Sequence, residues 1–293
     1  MAGEETPVRR VASDFFSNPV AVFGLALLIV IIVVATLAPL ISPQNPYDLA
    51  QLDVTDGRLP PGSKSLSGST FWLGSDDQGR DMLSAIFYGL RISLSVGVMS
   101  TVIALAIGLA LGLTAAYFGG RTDTIIMRIA DIQLSFPAIL IALILLAVLG
   151  PGTMKIVAAL VTIQWAYYAR TVRGAALVEK RKEYIEAARC LALPPLRIVF
   201  RHLLPNCLPP VMVVAAVQVA AAIALEATLS FLGLGLPITE PSLGLLIANG
   251  YQYLLSGKYW ISFFPGLALL ATILSINLVA DQMRDALNPR LQR

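Results

Sequence analysis

The sequence predicts an all-α polytopic membrane protein with six transmembrane helices, and three observations carry that reading. Of 293 residues, 57% are hydrophobic and only 13% charged, whereas soluble domains carry about a quarter charged residues. Charge-free apolar runs long enough to cross a bilayer recur along the chain. Lysine and arginine fall unevenly on the two sides that those runs define. Too little polar sequence remains for a separate globular domain. Residues 20–281 therefore read as one transmembrane unit between an amino-terminal segment, 1–19, and a tail, 282–293.

The first span, 20–41, has no charge and measures about 33 Å as a helix, enough for a hydrocarbon core of ~30 Å. A cleaved secretory signal has a shorter apolar core and a small-residue cleavage site. This run ends at Pro39 and Pro43 instead, so it reads as a retained span. Residues 42–91 turn to Pro, Gly, Ser and Asp and form an outer loop. Within it Asp76 and Arg80 stand at i,i+4, and Met82, Leu83, Ile86 and Phe87 recur at helical spacing, which predicts an amphipathic turn lying on the membrane. The acidic cluster lacks the alternating positions and closing Glu of a calcium loop, so no metal site is expected.

The second span, 92–118, carries Gly108 and Gly112 at the spacing that lets helices approach closely. The third, 132–154, is broken near its start by Pro137 and closed by Gly150-Pro151-Gly152. The fourth, 155–173, has a charge-free stretch only from 156 to 169, about 21 Å, so Lys155, Arg170 and Arg173 must snorkel to complete it. Spans at 207–237 and 259–280 follow a polar segment, 174–206. On this layout fifteen Lys and Arg lie on the side of the amino terminus and six on the other, placing both termini and the polar segment in the cytoplasm. A net charge of +3, spread over loops without interleaved aromatics, excludes nucleic acid as a partner. Cys190 and Cys207 both fall on the cytoplasmic side, so neither a disulfide nor a thiolate metal site follows.

Residues 183–206 (EYIEAARCLALPPLRIVFRHLLPN) hold charges that would each cost several kcal/mol in hydrocarbon, so the segment must stand in water. Helix formers lead to a break at Leu193-Pro194-Pro195, and Leu196, Val199, Phe200, Leu203 and Leu204 then recur at helical spacing. Proline suits a first helical turn, so the segment reads as helix, turn, helix, ending at Pro205-Asn206 before the fifth span. Ala187 and Ala188 beside Glu186 leave a low surface for a soluble partner, and Arg189, Arg197 and Arg201 offer donors to it.

These residues carry a resemblance. Glu186-Ala-Ala, then Ala192, then RHLLPN at 201–206 resembles the EAA loop of permease subunits of binding-protein-dependent ABC importers. The stretches LGSDDQGRDMLS (73–84), FGG (118–120) with Asp123, Met127 and Arg128, EATLSFLGLG (226–235) and RDALNPR (284–290) resemble the dipeptide/oligopeptide/nickel branch, and its second permease in particular. Three positions depart from the family pattern: Ala192 stands for a usual Gly, Ser75 for Thr and Ala85 for Arg.

The resemblance implies a type I ABC importer permease fold in the bacterial inner membrane, with peptide cargo or, on the same architecture, nickel chelates, glutathione or sugars. It implies contact with an ATPase subunit through Glu186, Ala187, Ala188, Arg189, Ala192, Pro194, Pro195, Arg197, Arg201, His202, Pro205 and Asn206. The implied partners are a second homologous permease in a heterodimer, two ATPase subunits and an extracytoplasmic solute-binding protein. No phosphate-binding glycine loop occurs in the chain. ATP and Mg therefore belong to the ATPase subunits, and this chain is expected to bind no cofactor and to hold no catalytic residue.

Glu226 is the one carboxylate well inside an uncharged run, and such residues are functional suspects. With Ser230 it is expected on the translocation pathway, an internal hydrogen bond between helices being the alternative. Asp76, Asp77, Arg80 and Asp81 are expected at an outer gate or a docking surface for the binding protein. Two rivals are weighed. A proton-coupled secondary transporter would use His202, the only histidine, but that residue lies outside the spans. An intramembrane enzyme would need paired catalytic side chains within them, and none is seen.

Overall fold

The computed structural model describes residues 13–48, 52–65, 68–237 and 239–287. Arg9, Arg10, Arg290 and Arg293, counted above for topology, lie outside them. Helix α1, Pro19–Ile41, starts where the Asn18 carboxamide oxygen accepts the Val20 N–H at 3.0 Å, with proline in the first turn. The Asn18 side-chain amide also donates to Gln282 at 2.7 Å, tying the start of α1 to the last helix.

Helix α2, Met82–Phe118, runs for 37 residues, about 55 Å. The boundary expected at 92 and the separate surface turn are both corrected by it. Asp81 caps this long helix, accepting the Ser84 N–H at 2.8 Å and the Ser84 hydroxyl at 2.6 Å, and nothing after it breaks the backbone.

The third span is also redrawn. Helix α3, Gly120–Leu134, and helix α4, Ala138–Leu149, meet at a bend of 89°. Pro137 has no N–H with which to continue α3, and its extended backbone (φ −58°, ψ 127°) starts α4 in a new direction. Helix α5, Thr153–Glu179, outruns the expected span at both ends. Its arginines do not merely snorkel: Arg173 pairs with Asp123 at 2.5 Å and Arg170 with Asp131, both on α3.

Gly108 and Gly112 explain how closely α2 meets α5. A Cβ on Gly108 would lie 2.3 Å from the Tyr168 Cβ, and one on Gly112 2.6 Å from the Ala169 carbonyl oxygen. The small-residue spacing thus serves a contact inside this chain.

Residues 183–206 form helix α6, Glu183–Cys190, then α7, Pro195–Ile198, which passes through a π-turn, Val199–Leu203, into α8, Leu204–Phe231. The stop expected at Pro205-Asn206 is absent, since helix runs unbroken from Pro195 to Phe231. The π-turn bonds the Leu204 N–H back to Val199, a widened register that helps the helix pass a proline at position 205. Helix α8 stops at Phe231 and not at 237. Beyond it lies an element not anticipated, α9, Leu243–Tyr251, capped by the Ser242 hydroxyl on the Leu245 N–H at 3.2 Å. Helix α10, Trp260–Ala286, completes the bundle.

Among the described residues four helices are long and apolar enough to cross a membrane: α1, α2, the joined α7–α8 and α10. The bent pair α3–α4 adds a fifth, and the more polar α5, at 27 residues or about 40 Å, is long enough for a sixth. The bundle has a basic end, carrying α3 and residues 180–206, and an opposite end carrying residues 42–81. At that opposite end a short antiparallel hairpin, β1 (Ser63–Lys64) and β2 (Thr70–Phe71), pairs Ser63 with Phe71 and Lys64 with Thr70.

Candidate functional site

The polar segment at the basic end has one face packed and one face open. Ile185, Ala188, Ile198 and Leu203 are buried against Leu113, Tyr168, Val172 and Val211, in one apolar cluster joining α2, α5 and α8. Burying each of the large aliphatic side chains contributes about 1.5–3 kcal/mol, so the segment is anchored as a rigid body. Glu186, Ala187, Arg189, Ala192, Pro194, Pro195, Arg197, Arg201, Pro205 and Asn206 are exposed, and His202 is half-buried. Ala188 is the correction here: it belongs to the packed face and presents no surface to a partner.

The turn after α6 is closed by backbone geometry. The Ala192 N–H bonds Arg189 at 2.9 Å and the Leu193 N–H bonds Ala188 at 3.2 Å, the paired pattern that ends a helix with a left-handed residue. Ala192 takes that role at φ +49°. The turn that the family's glycine would make easily is therefore made here by alanine, with a Cβ in a disfavoured region.

Local bonds set the remaining groups. The His202 ring Nδ1 lies 3.3 Å from the Arg197 carbonyl oxygen, and the Asn206 amide donates to the His202 carbonyl at 2.7 Å. The Tyr184 hydroxyl donates to Glu179 at 2.6 Å. Partial burial and that bond push the Tyr184 phenol up to about 12.

Lys180, which the sequence reading passed over, donates to the carbonyls of Ala116 and Tyr117 at 2.8 and 2.7 Å and so caps the end of α2. A cation near a helix terminus was the available signal, but the pairing of α5 with α2 is not visible in sequence. On the open face Leu191, Leu196 and Phe200 are 74%, 71% and 61% exposed. Leu196, Val199 and Phe200 also line a groove of about 370 Å³ against Leu109, Leu113 and Tyr117 of α2.

At the opposite end Asp76, Arg80 and Asp81 are fully buried, so in this structure they present no surface on which a binding protein could dock. Arg80 Nε pairs with Asp76 at 2.6 Å, while the other Asp76 oxygen accepts the N–H groups of Gln78 and Arg80 at 2.9 Å. Burial pushes the Asp81 carboxyl up, opposed by its bonds from Ser84. These groups brace the loop onto the start of α2, and only Asp77 keeps partial exposure.

Glu226 likewise turns inward. It has no exposed surface, and it accepts hydrogen bonds from Ser230 at 2.8 Å and from Ser93 of α2 at 3.0 Å. The internal bond between helices, left open in the sequence, is what the structure contains. Glu226 and Ser230 are thus both buried and bonded within the chain. Among the described residues no group of three or more His, Cys, Asp or Glu gathers as a metal site would require.

The chain is thus a helical bundle with several membrane-length helices that holds one polar helical segment by one face and leaves the other open. The chain belongs to the family of binding-protein-dependent transport system inner membrane components, whose model matches residues 108–293. Residues 6–61 match the N-terminal transmembrane domain of oligopeptide transport permease C. The chain is 36% identical to the di/tripeptide transport permease DppC of Pseudomonas aeruginosa, over 98% of this chain and 93% of that one. It is 37% identical to the dipeptide permease DppC of Bacillus subtilis, over 94% and 83% of the two chains. Identity is also 37% to the oligopeptide permease OppC of that organism, over 95% and 88%. Two inward-facing crystal forms of the MetNI methionine ABC transporter share the fold at TM-scores of 0.57 and 0.58, with 23% identity over 71% of this chain and 98% of theirs. The protein is thus a multi-pass inner-membrane permease of type I fold, a transport subunit and not a catalytic one.

Proposed function

We propose that this chain forms one membrane half of an ATP-driven importer of short peptides, driven by a cytoplasmic ATPase through the open face of residues 183–206. The observation that carries the reading is the two-faced segment: Ile185, Ile198 and Leu203 lock it to the bundle while Leu191, Leu196, Phe200, Arg189 and Arg197 stay exposed. Exposed apolar side chains ringed by arginines suit a protein partner. A rigid mount lets movement of that partner turn the attached helices, so a free energy of a few kcal/mol can pass between the two.

In this reading a second, homologous permease supplies the other half, and two ATPase subunits hydrolyse ATP with Mg. An extracytoplasmic solute-binding protein delivers cargo to the end carrying residues 42–81. Both termini lie in the cytoplasm, as the bias of fifteen basic residues to six supports. Peptide cargo is supported by relatives named as di/tripeptide, dipeptide and oligopeptide permeases. The test is reconstitution of the complex with its ATPases and binding protein, measuring ATP hydrolysis and peptide uptake together. Glu186→Lys reverses a charge on the open face and is expected to uncouple the two. Uptake that persists with no ATPase present would refute the proposal.

A further inference from the structure

Polar side chains at the depth of the bilayer core need partners, since lipid offers none. Gln164 of α5 is 4% exposed, and its Nε2 donates to the Gln218 carbonyl of α8 at 3.1 Å. That carbonyl can only accept, which fixes the orientation of the Gln164 amide. Its Oε1 then has no partner among the described residues. Beside it lies a groove of about 440 Å³ between α4, α5 and α8, lined by Gln164, Tyr167, Gln218, Thr228, Ile163 and Ala138. That volume falls within the ~300–1,000 Å³ of small-molecule sites.

Depth matters here. Gln164 lies about 16 Å along α5 from its start at Thr153, and Gln218 about 20 Å along α8 from its end at Phe231. Both therefore stand near the middle of a hydrocarbon core of ~30 Å. Gln218 is half-buried and Tyr167 is exposed, so this face carries neutral polar groups at a depth where lipid would offer them no partner; the Thr228 hydroxyl, nearer the end of α8, already donates to the Ala224 carbonyl at 2.8 Å. No charged residue lines the groove.

We propose that this groove binds the backbone amides of a peptide in transit, an inference that rests on the reading of the chain as a peptide importer. Gln164 Oε1 accepts a backbone N–H, and the Gln218 carboxamide can give and take a hydrogen bond with the same or the next peptide unit. A neutral, amide-bearing lining recognises what all peptides share and ignores their side-chain charge. Each bond is modest in net terms, which suits a site that must release its cargo.

The test uses the whole complex in proteoliposomes with trialanine as cargo, in a Cys190→Ser, Cys207→Ser background. In Gln218→Cys, a charged, membrane-impermeant methanethiosulfonate should label the thiol during ATP turnover, and saturating trialanine-loaded binding protein should slow that labelling. Gln164→Leu, which keeps the volume and removes the acceptor, should lower trialanine uptake ~5- to 10-fold, about the value of one hydrogen bond. It should also reduce severalfold the preference for trialanine over its backbone N-methylated analogue, with the same binding protein supplying both. If Gln164→Leu does not assemble, Gln164→Asn with its shorter amide replaces it, and the same loss of preference is expected.

A Gln218→Cys thiol inert in both resting and turning-over complexes would overturn the site. So would an unchanged peptide preference in the Gln164 variants. Either result, obtained while the wild-type complex still takes up trialanine, leaves the importer reading standing. A wild-type complex that takes up no peptide removes both.

Discussion

Ala192 is the residue whose replacement is most sharply determined. It closes α6 at φ +49°, held there by the bonds Ala192 to Arg189 and Leu193 to Ala188. An L-residue with a Cβ loses about 1–2 kcal/mol in this region relative to glycine. Glycine loses about 0.4–1 kcal/mol more chain entropy on folding. Ala192→Gly should therefore steady the turn by about 0.5–1 kcal/mol net. In hydrogen exchange of the detergent-solubilised chain, that difference slows opening of the Leu193 amide about two- to fivefold, at RT of ~0.6 kcal/mol. Ala192→Val should act the other way, because a β-branched side chain tolerates positive φ still less. Amide protection ranked Gly > Ala > Val is the expected result. Equal protection in all three would refute the claim that the backbone at 192 is strained.

Three further outcomes are expected. Gly108→Ala should lower the melting temperature in detergent, since its Cβ would stand 2.3 Å from Tyr168 Cβ and 2.9 Å from the Trp165 carbonyl oxygen; forcing α2 from α5 costs about 1–3 kcal/mol. Gly174→Ala, where nothing lies within 4 Å, should do the opposite by up to about 1 kcal/mol of helix propensity. Tyr184, with its phenol raised from 10.0 to about 12, holds its proton in the folded chain after an unfolded chain would have lost it. Its bond to Glu179 thus stabilises fully below pH 10 and is lost as pH rises from about 10 through 12. Ultraviolet titration, taken as the difference from Tyr184→Phe, should show that high midpoint, and Glu179→Gln should move it down.

Much of the fold was legible because hydrocarbon imposes a simple rule. Long uncharged runs became α1, α2, α8 and α10, and the carboxylates and arginines of 183–206 stay exposed while its apolar Ile185, Ile198 and Leu203 pack. Proline was read less well. Pro137 does break its helix, and Pro209 and Pro210 do lie inside a span, yet Pro205, expected to end a helix, also lies within unbroken helix, where a π-turn just ahead of it widens the backbone register. Helix α9 escaped notice because nine residues carry too short a period to tell from a loop.

Charge was the weakest guide to the site. Asp76, Arg80, Asp81 and Glu226 stood out in sequence by their charge, and the structure buries and bonds each of them within the chain. The neutral amides of Gln164 and Gln218 drew no attention, though they are the polar groups that a mid-membrane groove presents.

By itself the sequence determined the membrane class, the polar segment and the family motifs, all of which depend on which residues can bear lipid or water locally. Only the tertiary structure decided which face of 183–206 is open, that alanine bends to φ +49° at 192, and that Ser93 meets Glu226 across 133 positions of chain. Those outcomes depend on which distant atoms come within bonding distance, and packing alone sets that.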